Sequence, residues 1–392
     1  MTSLRSGVKI QVMKKYLLII FLSFQLNSTS YGEHQPIHYD LRHFPRYEVK
    51  GSDQYYKFNS NLIEDKIIKK EIKNYKKTGI VSYLLYEDGI IVIDEKHPEY
   101  WLTSDKVSEE KRVFGSASVG KSIASYITGH AICEGYIDSV DVVLDDWPIL
   151  DNTLYHGQKL IDLLNMRAGD QKYIGEKNFY KDDLLNDEGR TVNTINVQAI
   201  MENRLQNTKK SASVYNYSAL TTNVFLNYII FKVGEDYQKL LNKIFNEYVK
   251  VKNNIYFSRA STDESAGSSD YNFFATRYDY LRIAKTILED WNNDTCVGKY
   301  LKTVYERRIN KNKKSYDGDR SGQFDVAMYT KKYGGQFHFD IIGLSKRKIL
   351  GMSGFGGQNI IIDFEKKRII VVNSRDRHYN WKKIVLKKLK QK

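Results

Sequence analysis

Only two cysteines and four prolines occur among the 392 residues of this chain. The cysteines, Cys133 and Cys296, stand far apart and lack metal-ligand spacing, so a zinc site built on them is excluded. Free buried thiols are the plainer expectation, with a mutual disulfide as the other reading. The scarcity of proline, beside 30 tyrosines, 17 phenylalanines and 41% hydrophobic residues, excludes a disordered chain. No serine sits in a G-x-S-x-G elbow, so a conventional Ser-His-Asp hydrolase lacks its nucleophile turn. His130, one of eight histidines, reads as a packing residue. Past the N-terminal region, no uncharged stretch approaches the ~20 residues that span a bilayer, so no stable membrane span is expected.

What is present in excess is positive charge. Sixty-one Lys and Arg against 47 Asp and Glu give a net charge of +14. The lysines are scattered, with a local concentration in the last dozen residues. No compact basic stripe with interleaved aromatics stands out, which weighs against nucleic acid as a partner. A basic soluble protein drawn to anionic surfaces is the plainer reading. At the N-terminus, Met13-Lys14-Lys15 precedes the apolar run "YLLIIFLSF" at 16–24 and then the small polar "NSTSYG". A basic start, a short apolar run and a small-residue tail describe a secretory signal, with Met13 a candidate start. Residues 1–32 are therefore set apart as a signal peptide, and a secreted or periplasmic location is expected.

Residues 33–75 read as an irregular arm followed by a helix, with helical spacing at Ile67, Ile68, Ile72 and Tyr75. "IVSYLLYEDGIIVIDEK" then gives two β-rich runs around Asp88-Gly89, a strong hairpin signal. The stretch after Ser118 keeps helical spacing at Val119, Ile123, Ile127 and Ala131 until Gly135. Helical patterns follow at 158–170, 193–205, 221–234, 236–249 and 276–291. "GQNIIIDF" and "KRIIVVNS" flank Glu365-Lys366 as a second hairpin with β-branched arms, and "NWKKIVLKKLK" closes the chain as an amphipathic basic helix. Strands at both ends with helices between predict an α/β (α+β) fold. One antiparallel sheet, from 76–122 and 270–392, is flanked by helices, with a mostly helical subdomain at 123–269.

The chemistry concentrates in "RVFGSASVGKSIASYITGHA", which begins at Arg112. In S-x-x-K on a helix, the two side chains share a face one turn apart. A serine hydroxyl needs a base, and a lysine in a dry site loses its charge and becomes one. The helix N-terminus adds N–H groups and a positive dipole for a developing oxyanion. Spacing alone does not choose, because Ser6–Lys9, Ser108–Lys111 and Ser345–Lys348 fit equally. Only Ser118 opens a long helix whose following residues must be buried. Two further segments join it. Tyr215 and Tyr217 stand just before the helix at 221–234; on composition alone they are core tyrosines, yet a phenol near a lysine can relay a proton. "GMSGFGGQNIIIDF" at 351–364 puts four glycines before a strand, where a substrate can approach the backbone.

Taken together and in order, these segments resemble the serine β-lactamase and penicillin-binding-protein superfamily. The closest branch is the class C-like one that holds esterases and 6-aminohexanoate-dimer hydrolases. The resemblance runs from about Ile80 to Ser374 and includes "LIDLLNMRAGD", similar to the family's M-x-S-G turn, and "FFATRYDYLRIAK", similar to its T-x-x-D helix. It implies a β-lactamase/transpeptidase-like fold, with Ser118 as acylated nucleophile and Lys121 as its lysine. Tyr217 matches the family tyrosine, with Tyr215 the alternative register. Phe355-Gly356-Gly357 falls where the family has Lys/His-x-Gly, and Gln358 would offer the second oxyanion N–H. Two departures bear on substrate: Ala219 replaces the usual Asn of Y-x-N, and Phe355 the Lys or His. Both argue against β-lactam and D-Ala-D-Ala chemistry and leave ester or amide hydrolysis open. "DDLLN" at 182–186 mimics a deacylating loop in the wrong chain order and is taken as coincidence. The expectation is a secreted serine hydrolase of a small-molecule or peptide-like ester or amide, without metal or other cofactor. The alternative is a β-lactamase-like protein that binds cell-wall or another polymer without turnover. The substrate pocket would draw on 33–60, 170–192 and 311–323, where the resemblance fades.

Overall fold

The computed structural model describes residues 46–97, 112–173, 197–259, 269–313 and 325–391, all within one compact unit, Pro36–Lys392. The expected signal peptide, the "DDLLN" stretch and most of the loops at 170–192 and 311–323 lie outside the described residues.

A nine-stranded sheet forms the frame. Its strands are β2 (Asn59–Ser60), β3 (Ile80–Glu87), β4 (Ile90–Lys96), β8 (Ile309–Asn310), β9 (Thr330–Gly334), β10 (Phe337–Ile341), β11 (Ile349–Gly354), β12 (Gln358–Asp363) and β13 (Arg368–Ser374). They run in the order β2-β4-β3-β13-β12-β11-β10-β9-β8, antiparallel except for β2 with β4. The N-terminal hairpin β3–β4 meets the C-terminal strand β13 in the centre, pairing Leu84 with Val371 and Tyr83 with Val372. The unbroken apolar runs follow from burial on both faces. Successive side chains of a strand point to opposite sides, and here they enter two different cores. Val81, Leu84, Ile360, Ile362, Ile369 and Val371 pack on one side. Ile80, Tyr83, Ile361, Ile370 and Val372 pack on the other.

Helix α1 (Lys66–Lys73) and the C-terminal helical segment, Lys382–Leu386 and Lys387–Lys390, cover the second side. Ile68 and Ile72 of α1 are buried there beside Ile384, Val385 and Leu389, and Asp65 caps α1 by accepting from the N–H groups of Ile67 and Ile68. The first side carries α2 (Val119–Cys133), α3 (Leu160–Leu164), α4 (Val197–Arg204), α5 (Ala219–Val233), α6 (Tyr237–Asn242), α7 (Arg277–Asn292) and α8 (Cys296–Glu306). Among the described residues no helix is long and apolar enough to cross a membrane.

A second sheet was not anticipated. β1 (Arg46–Val49), β5 (Val113–Gly115), β6 (Ile255–Arg259) and β7 (Ser269–Thr276) associate in the order β1-β6-β7-β5. β6 falls inside the stretch read as helical, and β1 inside the arm read as irregular. Their partners are remote in sequence: Arg46 pairs with Ser258, and Phe114 with Ala275. Such short strands gain their identity from the pairing.

The expectation of free thiols is overturned. Cys133, the last residue of α2, and Cys296, the first of α8, form a disulfide with a Cα–Cα distance of 5.9 Å across 163 residues of chain. The two helices cross closely here. A Cβ on Gly129 would stand 2.6 Å from the Tyr300 ring, and the Ser125 and Tyr300 hydroxyls are 2.7 Å apart. Replacing both cysteines by serine should cost about 2–5 kcal/mol of stability, read as a lower urea midpoint. An unchanged midpoint, with two titratable thiols in the untreated protein, would contradict the bond.

Candidate active site

Ser118 sits where β5 of the small sheet turns into α2. Ser116 extends the β5–β7 ladder, donating its N–H to Phe273 O (2.7 Å) and accepting from Phe273 N at its hydroxyl (2.9 Å). Ala117 then takes a left-handed φ of +44°, unusual for a residue with a Cβ and a mark of local strain. That reversal ends the strand and sets Ser118 at the N-cap of α2. A serine there commonly caps the helix with its hydroxyl. Ser118 makes no such bond. The phenols of Tyr217 and Tyr271 lie near enough for Ser118 to pull both of their pKa values down.

Lys121 lies one turn along α2 and is buried, 1% exposed. Its Nζ has no hydrogen-bond partner among the described residues. It faces two aromatic rings, with Nζ 3.2 Å from the Tyr271 ring centroid and 5.4 Å from that of Tyr217. Burial drives its pKa well below the usual 10.5, opposed by the charge of Asp270. Asp270 shows the matching effect: burial raises its carboxyl to about 6, opposed by bonds from Asn272 and Ser258 and by the Lys121 charge. Burial likewise raises Tyr217, to about 12, while contact with Ser118 and the charge of Arg377 pull it down and Asp325 pushes it up. The Arg377 and Asp325 that act on it form an ion pair at 3.1 Å. Tyr271 is raised too, by burial first and then by Tyr217 and Asp270.

Tyr217 is held from below by the "LNMRAGD" turn. Asp170, fully buried, accepts from Asn216 Nδ2 (3.1 Å), Thr221 Oγ1 (2.7 Å) and the Tyr155 hydroxyl (3.0 Å). Asn216 N donates to Met166 O at 2.7 Å. The residue before Tyr217 and the first turn of α5 are thus tied to one carboxylate. Tyr215, the alternative register, packs against Tyr333 in a small cluster with Met166. The phenol that meets Ser118 is Tyr217.

The glycine-rich hairpin approaches from the large sheet. A Cβ on Gly354 would stand 2.5 Å from Ser116 O and 3.3 Å from Ala117 Cβ, so the end of β11 abuts the nucleophile turn. Gln358 pairs with Gly354 across the hairpin, and its amide is occupied: Nε2 donates to Ser374 O (2.6 Å) and Oε1 accepts from Asn373 (3.2 Å). Phe355 is 59% exposed at the tip, with the Arg377 guanidinium 5.6 Å from its ring. Gly356 and Gly357 both take positive φ there, 78° and 86°. His130 is a core residue: it packs edge-on against Tyr126 and Tyr248, and burial lowers its pKa to about 3. Among the described residues no group of three or more His, Cys, Asp or Glu could hold a metal ion.

Tyr271 was missed in the sequence, where β7 carried no motif of its own. A trace was there in Gly120. A glycine inside a helix needs a reason, and here a Cβ would overlap the Tyr271 carbonyl. Gly120 lets the β7 backbone reach α2 and bring Tyr271 onto Ser118 and Lys121.

No protein-family model matches the chain, and no curated protein matches it by sequence. Solved structures do match. A Bacillus anthracis protein assigned as a 6-aminohexanoate-dimer hydrolase is 16% identical, with a TM-score of 0.59 over 86% of this chain and 87% of that one. A Bacteroides dorei protein assigned as a β-lactamase is 14% identical, with a TM-score of 0.58 over 80% and 91%. An octameric penicillin-binding-protein homologue from Pyrococcus abyssi is 17% identical, with a TM-score of 0.55 over 82% and 75%. At these identities the likeness is one of fold: the chain has the β-lactamase/penicillin-binding-protein-like fold.

In a free-standing helix, Gly120→Ala would stabilise by up to about 1 kcal/mol. Against the Tyr271 carbonyl it should instead destabilise by about 1–3 kcal/mol, seen as a lower Tm. A raised Tm would contradict the close approach of β7.

Proposed function

We propose that the protein is a serine hydrolase that cleaves an ester or amide through an acyl-Ser118 intermediate. The observation that carries this reading is the Ser118 hydroxyl, unused as a helix cap, one turn before a buried lysine that has no hydrogen-bond partner and faces the rings of Tyr217 and Tyr271. Magnitudes decide which group is the base. Tyr217 holds its proton up to about 12, so it cannot be a free phenolate near neutral pH. Lys121, with its pKa pushed well below 10.5, is the group beside it able to be neutral. As Ser118 Oγ bonds to the carbonyl carbon, its proton passes to Tyr217 while Tyr217 yields its own to the Lys121 amine. The ammonium then returns a proton through the phenol to the leaving group. Water repeats the sequence to release the acid.

Tyr271 stays protonated and donates to Ser118 or to the leaving group. The oxyanion faces the Ser118 N–H at the positive end of α2. A second donor would be a backbone N–H of the glycine-rich hairpin, whose end at Gly354 abuts the Ser116–Ala117 turn. The names of the Bacillus and Bacteroides neighbours suggest amide bonds as the target. Two features support a secreted protein: the apolar run at 16–24 after two lysines, and the Cys133–Cys296 disulfide, which persists in oxidising compartments.

Binding without turnover is the second reading, favoured by Ala219 and Phe355 at positions where the resembled family carries polar groups. A fluorophosphonate probe and a panel of short esters and amides separate the two. The wild type should be labelled at Ser118 and turn over an ester; Ser118→Ala should not be labelled, and Lys121→Ala should lose on the order of 100-fold or more in rate. Equal labelling of wild type and Ser118→Ala would remove the nucleophile assignment. No labelling and no turnover, with binding to cell-wall material, would favour the second reading.

A further inference from the structure

The excess positive charge gathers on the side of the large sheet opposite α2. α1 and the C-terminal helical segment lie together there. Both bury their apolar chains in the same core, Asp65 pairs with Lys388 at 2.5 Å, and Asn380 N donates to Glu71 at 2.9 Å. Their outer surfaces form one face. Lys66, Lys70 and Lys73 on α1 and Lys383, Lys387 and Lys390 on the C-terminal segment are all exposed, and none makes an ion pair with a described residue. Three carboxylates lie among them: Glu64 pairs with Lys69 at 3.0 Å, Glu71 accepts from Asn380 N, and Glu95 lies near Lys69, so lysines outnumber the acids.

Apolar side chains stand exposed on the same face. Ile63, just before α1, is 55% exposed, and Ile67 on α1 is 37% exposed. On the neighbouring turn, Ile342 is 37% exposed beside Gly343, whose Cβ position lies 3.7 Å from Lys390 Nζ. We propose that this face docks the protein on an anionic phospholipid surface. Lysines there meet the headgroups, and Ile63, Ile67 and Ile342 enter the interface. Charge complementarity alone would also suit a nucleic acid. The exposed aliphatic chains favour lipid, since an amphipathic helix lying in the interface buries just such residues beside its lysines. Because α2 belongs to the other core, docking leaves the Ser118 side of the sheet turned away from the lipid.

The test uses the full chain with vesicles of phosphatidylcholine alone and with added phosphatidylglycerol. The apolar run at 16–24 can bind either kind, so the quantity read is the preference for the anionic vesicles. The wild type should prefer them, and lose the preference in high salt. Lys70→Glu, Lys383→Glu and Lys387→Glu together should reduce it by on the order of 100-fold, from roughly five-fold per lysine. The same charge change at Lys239, Lys250 and Lys299, exposed elsewhere, should leave most of it. The proposal is overturned if the wild type shows no preference, if both triple variants lose it equally, or if duplex DNA is bound more tightly than vesicles at the same salt.

Discussion

The site depends on the amine of Lys121 being shut in by aromatic rings instead of being hydrogen-bonded. An isolated ammonium in such a place is costly, so burial favours the neutral amine. The elements around it serve that enclosure. α2 carries Lys121, β7 lays Tyr271 over it, and the Asp170-anchored segment brings Tyr217 to its other side. Gly120 is the small residue on which this turns, because it alone lets the β7 backbone come near enough to the helix.

The architecture around the site divides labour between two sheets. The small sheet places the proposed nucleophile, since β5 delivers Ser118 and β7 supplies Tyr271. The large sheet supplies the opposing wall, with Gly354 against the Ser116–Ala117 turn. The disulfide fixes the far end of α2 to α8, so the helix bearing Ser118 and Lys121 is restrained at both ends. The other side of the large sheet is free of these demands, and it is there that the lysines collect.

Legibility in the sequence followed the range of the interactions. The hairpins at Asp88-Gly89 and Glu365-Lys366, the start of α2 and the C-terminal helix rest on local pattern and turn chemistry, and they were readable. The helical pattern at 276–291 and α7 coincide for the same reason. Sheet β1-β6-β7-β5 was not readable, because strands of three to eight residues are made by partners up to 212 positions away, as Arg46 is from Ser258. The disulfide stood only as the second reading for the same cause, and Tyr271 belonged to a strand that had not been recognised. Tyr217 and Tyr215 could be told apart only by seeing which one meets Ser118.

The most direct test is the ionisation of Lys121 itself, followed by nitrogen-15 NMR of selectively labelled lysine and assigned with a Lys121→Met variant. The amine should titrate well below 10.5, and Asp270→Asn should move it lower still, because that change removes a charge favouring the ammonium. A Lys121 that titrates at or above 10.5, or one indifferent to Asp270, would contradict the account.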